Sequence, residues 1–237
     1  FSLFMDSAAN NQSKNKKMKM HLKTHSALIL SASLLAGSAS AATIAFEAES
    51  GTLGSDYETV SDTNASGGSF IRSTARPNSE APNLTSATVS YSIDFTEVGT
   101  YFVYALMQLG ADDDVKDTFH YAADFGTPIV TEDADWIKVN GARKTPFLLT
   151  ATDYKWVNIS TVVSADGEAP VTFSVTGTGT QTWQIGARED LFRHDAFVFS
   201  TENNLSDADL NAALIPEPGT ALLGGLGMLA LLRRRRN

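Results

Sequence analysis

Ten short runs rich in Val, Ile, Phe, Tyr and Thr, each closed by turn residues, constrain this chain more than anything else in it: residues 43–49, 69–72, 88–95, 100–108, 118–122, 136–139, 155–160, 171–175, 182–185 and 196–200. No long segment of helical period separates them. Short strands in this number, without helices between them, predict an all-β sandwich or barrel. Alternation says which face is buried. Ile44, Phe46 and Ala48 share one side while Glu47 and Glu49 share the other, and Val89, Tyr91, Ile93 and Phe95 alternate with Ser90, Ser92 and Asp94. That period of two belongs to a sheet with one face in a core. Turns fall at Gly67-Gly68, Asn140-Gly141, Asp166-Gly167 and Gly177-Thr178-Gly179, residue types that accept tight or left-handed backbone. One short helix is expected over 206–214, where Ser206 and Asp209 have capping-box spacing. It reads as an arm leading into the C-terminal tail.

Charge narrows the partners. Between residues 42 and 215 the chain carries 25 acidic against nine basic residues, a formal −16. Such a surface repels phosphate backbones and anionic lipid heads, so nucleic acid is excluded as a partner. The 237 residues are 43% hydrophobic and 19% charged, enough apolar material for a core and too little charge for wholesale disorder. There is no cysteine, which removes disulfides, thiol nucleophiles and thiolate metal sites.

The two ends read as addresses. Residues 1–17 begin without Met and show no pattern, and are taken as an upstream extension before a start at Met18 or Met20. Lys19, His21, Lys23 and His25 then precede the apolar stretch 27–35 and the small residues Ala39 and Ala41. This is the layout of a secretory signal peptide over 18–41, cleaved after Ala41, and its apolar run is short of the roughly 20 residues that span a bilayer. At the far end Pro216, Glu217 and Pro218 precede an apolar run over 220–232 and the cluster Arg233, Arg234, Arg235 and Arg236. At about 1.5 Å per residue the run reaches only about 20 Å against a hydrocarbon core of roughly 30 Å, a marginal span whose arginines should stay cytoplasmic. The order of these three parts resembles the PEP-CTERM sorting tail of Gram-negative bacteria. The resemblance implies export across the inner membrane, transient anchoring there through residues 216–237, and processing by signal peptidase and an exosortase. It also implies a final place at the cell surface or in a matrix of exopolysaccharide and biofilm. A module over 42–201 and a linker with a short helix over 202–215 lie between the addresses.

Catalytic constellations are sparse. Signal cleavage leaves His120 and His194 as the remaining histidines, and no H-E-x-x-H, G-x-S-x-G, Walker or G-x-G-x-x-G motif occurs in the module. Paired carboxylates are abundant and glycoside hydrolysis needs only two of them, but a module of this size offers little room for a polymer-holding groove, so it is read as no enzyme. The acids that look placed are Glu47 and Glu49, two apart on a strand and therefore on one face. Like charges that close are unfavourable unless a cation joins them, and hard oxygen donors favour Ca²⁺ over zinc. Asp195, directly before the last strand, is a third candidate. The alternative is an outward-facing pair simply solvated by water.

Four stretches in order carry a second resemblance: Phe46-Glu47-Ala48-Glu49, residues 64–71, residues 98–103, and residues 188–199. They are similar to the successive signatures of carbohydrate-binding modules of families 6 and 35, across about residues 43–201. The resemblance implies a galactose-binding-like jelly-roll β-sandwich, with the signal and tail helices outside it. It also implies a structural Ca²⁺ held by Glu47, Glu49 and Asp195, with backbone carbonyls around 66–69 completing the shell. The function it implies is binding of a polysaccharide or other glycan without catalysis. A structural matrix protein without sugar binding, or a small glycan-active enzyme, are the rivals. For the sugar itself, aromatic rings stack on the C–H faces of saccharides while polar groups reach the hydroxyls. Trp136, just after an acidic loop, is the candidate platform, Trp156 could be platform or core, and Trp183 reads as core. Asp112, Asp113 and Arg188 lie on loops at strand ends, where they could bind hydroxyls or only make solvated turns and internal ion pairs. Leu191 stands where the family usually has glycine after Arg-Glu-Asp, which puts that loop in question.

Overall fold

The structure, a computed structural model, describes residues 41–110 and 116–215. The upstream extension, the signal peptide up to Ser40, Asp112, Asp113 and the tail over 216–237 lie outside the described residues.

Among the described residues, twelve strands form two antiparallel sheets. One sheet has seven strands: β1 (Thr43–Glu47), β3 (Tyr57–Ser61), β4 (Ser69–Ser73), β6 (Gly99–Gln108), β9 (Lys155–Asn158), β10 (Phe173–Val175) and β12 (Arg193–Ser200). Its backbone order is β10-β6-β12-β4-β3, with β1 also pairing β12 and β9 also pairing β6. The other has five, in the order β2 (Thr52–Leu53), β5 (Thr88–Phe95), β11 (Gly179–Ala187), β7 (Phe119–Ala122) and β8 (Trp136–Val139). The expected jelly-roll sandwich is what the chain makes. Strands β5 and β8 have the predicted bounds, and others differ by a few residues at their ends. The runs over 52–53 and 57–61 were not anticipated, because polar residues fill all but Leu53, Tyr57 and Val60 in them.

Alternation decides the core as expected. Val89, Tyr91, Ile93 and Phe95 of β5 face Tyr101, Val103, Ala105 and Met107 of β6 and Phe197 and Phe199 of β12, all buried in one cluster. Trp183 is fully buried at the centre, with Phe197 and Phe199 rings each 5.2 Å away in edge-to-face contact. Such pairs add about 0.5–1.5 kcal/mol each beyond area burial.

The opposite, outward face of the seven-stranded sheet is not left to water. A second cluster there joins Tyr104, Leu106, Trp156, Ala196 and Val198 to Leu210 of the helix α1 (Asp207–Leu214). The capping box foreseen at Ser206 and Asp209 is present in both directions. Yet the helix does not project as an arm: Leu210 is buried, Leu205 and Leu214 pack beside it, and the Trp156 indole N–H donates to Asn211 Oδ1 at 2.8 Å. Leu210 and Leu214, four apart on the helix, share one side, and with Leu205 just before the cap they meet a ready apolar face, so the segment closes down on the sheet.

Candidate functional site

The acidic cluster forms where β12 changes partner. Along its length β12 pairs β1 from Ala196 to Ser200 and β4 at Arg193 and His194, and its register against β6 shifts between His194 and Ala196. Asp195 is the residue left over at that bulge, which re-aims a side chain and interrupts pairing. Strand β1 ends at Glu47, and a single 3₁₀ turn, Ala48–Ser50, follows. Glu49 therefore sits on that turn and not on the strand, correcting the expectation of two carboxylates on one strand face. The Ala48 carbonyl accepts from the buried Tyr91 hydroxyl at 3.0 Å, which pins the turn.

Another 3₁₀ turn, Ser66–Gly68, closes over the acids, with Gly67 in the left-handed region at φ 62°. A Cβ on Gly67 would come within 3.3 Å of the Glu47 carboxyl, so glycine serves both backbone and space. The Ser66 amide donates to Asp195 Oδ2 at 2.9 Å and its hydroxyl to Glu47 Oε1 at 2.8 Å, while Ser69 Oγ donates to Glu49 Oε1 at 2.5 Å. Three oxygens remain buried without a partner: Glu47 Oε2, Glu49 Oε2 and Asp195 Oδ1. Burial, reinforced by Glu47, Glu49 and Asp62 and opposed by the Ser66 amide, pushes the Asp195 carboxyl up to about 7. Glu47 is raised too, chiefly by burial and further by Glu49, against the pull of the Ser66 hydroxyl. Unpartnered buried carboxylate oxygens are costly, and a hard cation is the partner that their chemistry fits. Among the described residues, however, no three Asp, Glu or His side chains already stand as a finished ligand set.

Beside this cluster opens a cleft of about 620 Å³. Leu106, Tyr154 and Trp156 form its apolar side, Asp207, Asn211 and Leu214 of α1 the second, and the turn at Ser66 with Glu47 and Asp195 the third. The Tyr154 hydroxyl donates to Asp62 Oδ2 at 3.2 Å and its ring lies 6.1 Å from that of Phe70, so the ring is oriented before any ligand arrives. Burial, with Asp62 and Asp195 nearby, raises its hydroxyl pKa, and it stays protonated. Tyr154 escaped the sequence reading although its signal was present: it is two residues from Trp156, and in an extended segment that spacing puts both rings on one side.

Of the sequence-predicted sugar residues that the structure describes, only Trp156 reaches this cleft, presenting an edge at 7% exposure. Trp136 is 1% exposed and is no platform. It lies on the outward face of the five-stranded sheet, but Pro82 and its loop fold over that face, and its indole N–H donates to the Ile129 carbonyl at 3.1 Å. Gly186 makes the cover fit, since a Cβ there would stand 2.2 Å from Pro82 Cγ. Arg188 is turned to internal work, donating to the Ser79 carbonyl at 3.2 Å and pairing Glu189 at 3.1 Å. Leu191 does hold the left-handed turn, at φ 68°, with its amide donating to the Ser73 carbonyl at 2.8 Å. His120 and His194 are interior; burial above all lowers them to about 4 and about 3.

No protein-family model matches the chain, nor does any curated protein. Among solved structures it is similar to a family 35 carbohydrate-binding module from Clostridium thermocellum, at 14% identity and a TM-score of 0.42, over 66% of this chain and 97% of that one. It is also similar to part of an exo-β-1,3-galactanase from Phanerochaete chrysosporium, in complexes with galactose (15% identity, TM-score 0.34) and with β-1,3-galactotriose (13%, 0.33). The chain spans 29% of the length of that galactanase. At these identities and TM-scores the sandwich rests on its own sheets and register.

Proposed function

We propose that this protein is an exported, non-catalytic glycan-binding module, stabilised by Ca²⁺ and delivered to the cell surface or matrix by its C-terminal tail. The observation that carries the reading is the meeting of three carboxylates, each with one buried and unpartnered oxygen, of which Glu47 and Asp195 line a cleft walled by Tyr154 and Trp156. Glu47, Glu49 and Asp195 would hold the cation, with backbone carbonyls around residues 66–69 filling the six to eight oxygen positions that calcium takes. Bound there, it would offset the mutual repulsion of the acids and lock the start of the sandwich to its end. The Tyr154 ring would stack on a sugar's C–H face with Trp156 packed beside it, while Asn211, Asp207 and the Ser66 turn would meet its hydroxyls. The two histidines support the non-catalytic reading, because both are buried and neutral at pH 7 and neither faces the cleft.

Glycan-array binding followed by calorimetric titration tests the function. Binding in calcium at micromolar to millimolar Kd, on the order of −8 to −4 kcal/mol, without release of reducing ends, is the expected outcome. Reducing-end release would make the protein an enzyme. Silence on every glycan, with calcium still raising the melting temperature, would leave a structural matrix protein.

A further inference from the structure

Between β4 and β5 the chain runs as an irregular strap, residues 74–84, over the outward face of the five-stranded sheet. Pro77 and Pro82 have no amide to give a strand ladder, and Asn78 and Asn83 hold left-handed backbone at φ 53° and 63°, so the strap does not pair as a strand. It is fastened at points. The Asn78 amide donates to the Arg188 carbonyl at 2.9 Å, the Asn83 amide to the Val130 carbonyl at 2.7 Å and the Arg188 side chain to the Ser79 carbonyl at 3.2 Å, while Glu80 pairs with Lys138. Strand register decides what lies beneath. Gly186 of β11, His120 of β7 and Lys138 of β8 stand opposite one another in one row, turned outward because their neighbours Ile185, Tyr121 and Val139 fill the core. Pro82 lies on Gly186 and Glu80 reaches Lys138, so residues 80–82 arch over the position between them, and Ala81 is 1% exposed. That position is His120. Its ring is fully buried, neither ring nitrogen finds a hydrogen-bond partner among the described residues, and Trp136 stands edge-on at 6.5 Å.

An imidazole sealed in this way is tolerable while neutral, but a proton added to it would place a charge out of reach of water. Relief can be local. Lifting a strap held at points lets water reach the ring, whereas unfolding the sandwich would also undo the core around Trp183. We infer that residues 74–84 are an acid-opened strap, closed over His120 at neutral pH and released from the sheet when the imidazole beneath residues 80–82 takes up a proton. The charges around the ring set the direction. Burial above all lowers His120 from 6.5 to about 4, Arg188 and Lys138 add to this, and the Ala187 backbone and Glu80 oppose it. Asp166 stands behind Lys138, 3.0 Å from its ammonium. With the strap open the ring would titrate near its ordinary 6.5, so the preference for closure is complete above that value and declines as pH falls towards 4, by roughly 300-fold in the closed-to-open ratio at tenfold for each unit of pKa. Glu80 acts in the same sense, because its bond from Lys138 holds its carboxyl low in the closed state and acid strong enough to protonate it undoes that fastening. Opening bares the Trp136 ring beside an imidazolium, so the acidity of the surroundings decides which surface this side of the module presents.

Amide hydrogen exchange of the full chain, followed by mass spectrometry from about pH 7.5 to about pH 4 and corrected for the intrinsic exchange rate at each pH, reads the strap apart from the core. Amides of residues 78–83 should lose at least about tenfold in protection over that range, while those of β11 around Trp183 and of β12 keep theirs. In His120→Phe the same strap amides should stay within about threefold of their neutral value. An NMR titration of the His120 ring in the folded wild type reads the trigger without any substitution, and should give a value of about 4. Strap protection that does not change with pH in wild type would overturn the switch. So would a loss shared equally by β11 and β12, which is unfolding of the whole sandwich, or a full acid slope in a folded His120→Phe. A His120 ring that titrates near 6.5 while the strap amides remain protected would overturn it as well, since the ring would then be open to water with the strap closed.

Discussion

Replacing Asp195 with Asn should stabilise the protein in chelator and weaken it in calcium, a crossing of signs that few structural roles would produce. Asp195 is fully buried and its carboxyl is pushed from 3.8 up to about 7, first by burial and then by Glu47, Glu49 and Asp62. A difference of roughly three in pKa corresponds to about 4 kcal/mol at 1.36 kcal/mol for each, taken as an order of magnitude. Because the folded-state value is raised, the favourable contribution is complete below the unfolded value of 3.8 and is lost as pH rises through about 7. At pH 8 without metal the folded protein therefore bears nearly the whole penalty. Asn keeps an acceptor for the Ser66 amide and carries no charge, so it should recover up to about 4 kcal/mol in chelator. With calcium the ionised carboxylate becomes a ligand, and wild type gains RT ln(1 + [L]/Kd), about 4 kcal/mol at 1,000 times Kd. The variant has one fewer negative ligand and should gain much less. Urea melts of both proteins at pH 8, in chelator and in millimolar calcium, read the four stabilities directly. If Asn destabilises equally under both conditions, Asp195 is a structural hydrogen-bond acceptor and not part of a cation site. If wild type ignores calcium, the cluster holds none.

Trp136→Ala should cost about 3–5 kcal/mol in chemical denaturation and leave sugar affinity unchanged, since the ring is interior; a wild-type melt with lost binding would restore it as a platform. Leu210→Ala should cost about 2–5 kcal/mol by opening the contact of α1 with Trp156 and Leu106, and a neutral result in thermal melts would make the helix a loose appendage. Gly186→Ala should destabilise by more than about 1 kcal/mol and raise protease cutting between residues 74 and 84, because its Cβ displaces Pro82; an uncut, wild-type-stable variant would show that the cover yields freely. His120, lowered from 6.5 to about 4 by burial, contributes stability that is complete above about 6.5 and is lost as pH falls towards 4. His120→Phe should therefore flatten the stability profile between those values by about 3 kcal/mol, and an unaltered acid limb would contradict the neutral buried ring.

What the sequence made legible follows the range of the interaction that decides each feature. Alternation in residues 88–95 is a local property and predicted both the strand and its buried face. The capping box at Ser206 and Asp209 is equally local, and the helix formed. Where α1 goes was not legible, because its destination is an apolar face built from Tyr104, Trp156 and Val198, residues far away along the chain. Trp136 failed for the same reason: an acidic loop before it suggested exposure, and a cover from residues 74–84 decided otherwise. The three candidate carboxylates were chosen by spacing and motif order and the fold brings them together, yet the stated geometry was wrong for Glu49, since nothing local announces that β1 stops at Glu47. Tyr154 is the converse case, a readable period-two partner of Trp156 that went unread.

The position of the acidic cluster bears on what a cation there would do for a chain without cysteine. Ser66 and Asp195, joined by a 2.9 Å hydrogen bond, are 129 residues apart, and Ser66 lies 19 from Glu47. A cation shared by Glu47, Glu49 and Asp195 would thus tie the opening strand and the Ser66 turn to the closing strand, across nearly the whole module. Closing so long a loop removes conformational freedom from the unfolded chain in the way a disulfide does, on the order of 4 to 5 kcal/mol for a loop of about 100 residues. Unlike a disulfide, such a clasp needs no oxidant and is reversible with the calcium of the surroundings. Its location where β12 exchanges β1 for β4 is also where the bulge at Asp195 interrupts the ladder with β6. The cluster therefore reads as electrostatic strain placed at a break in the strand pairing, which a bound divalent cation would convert into a long-range tie.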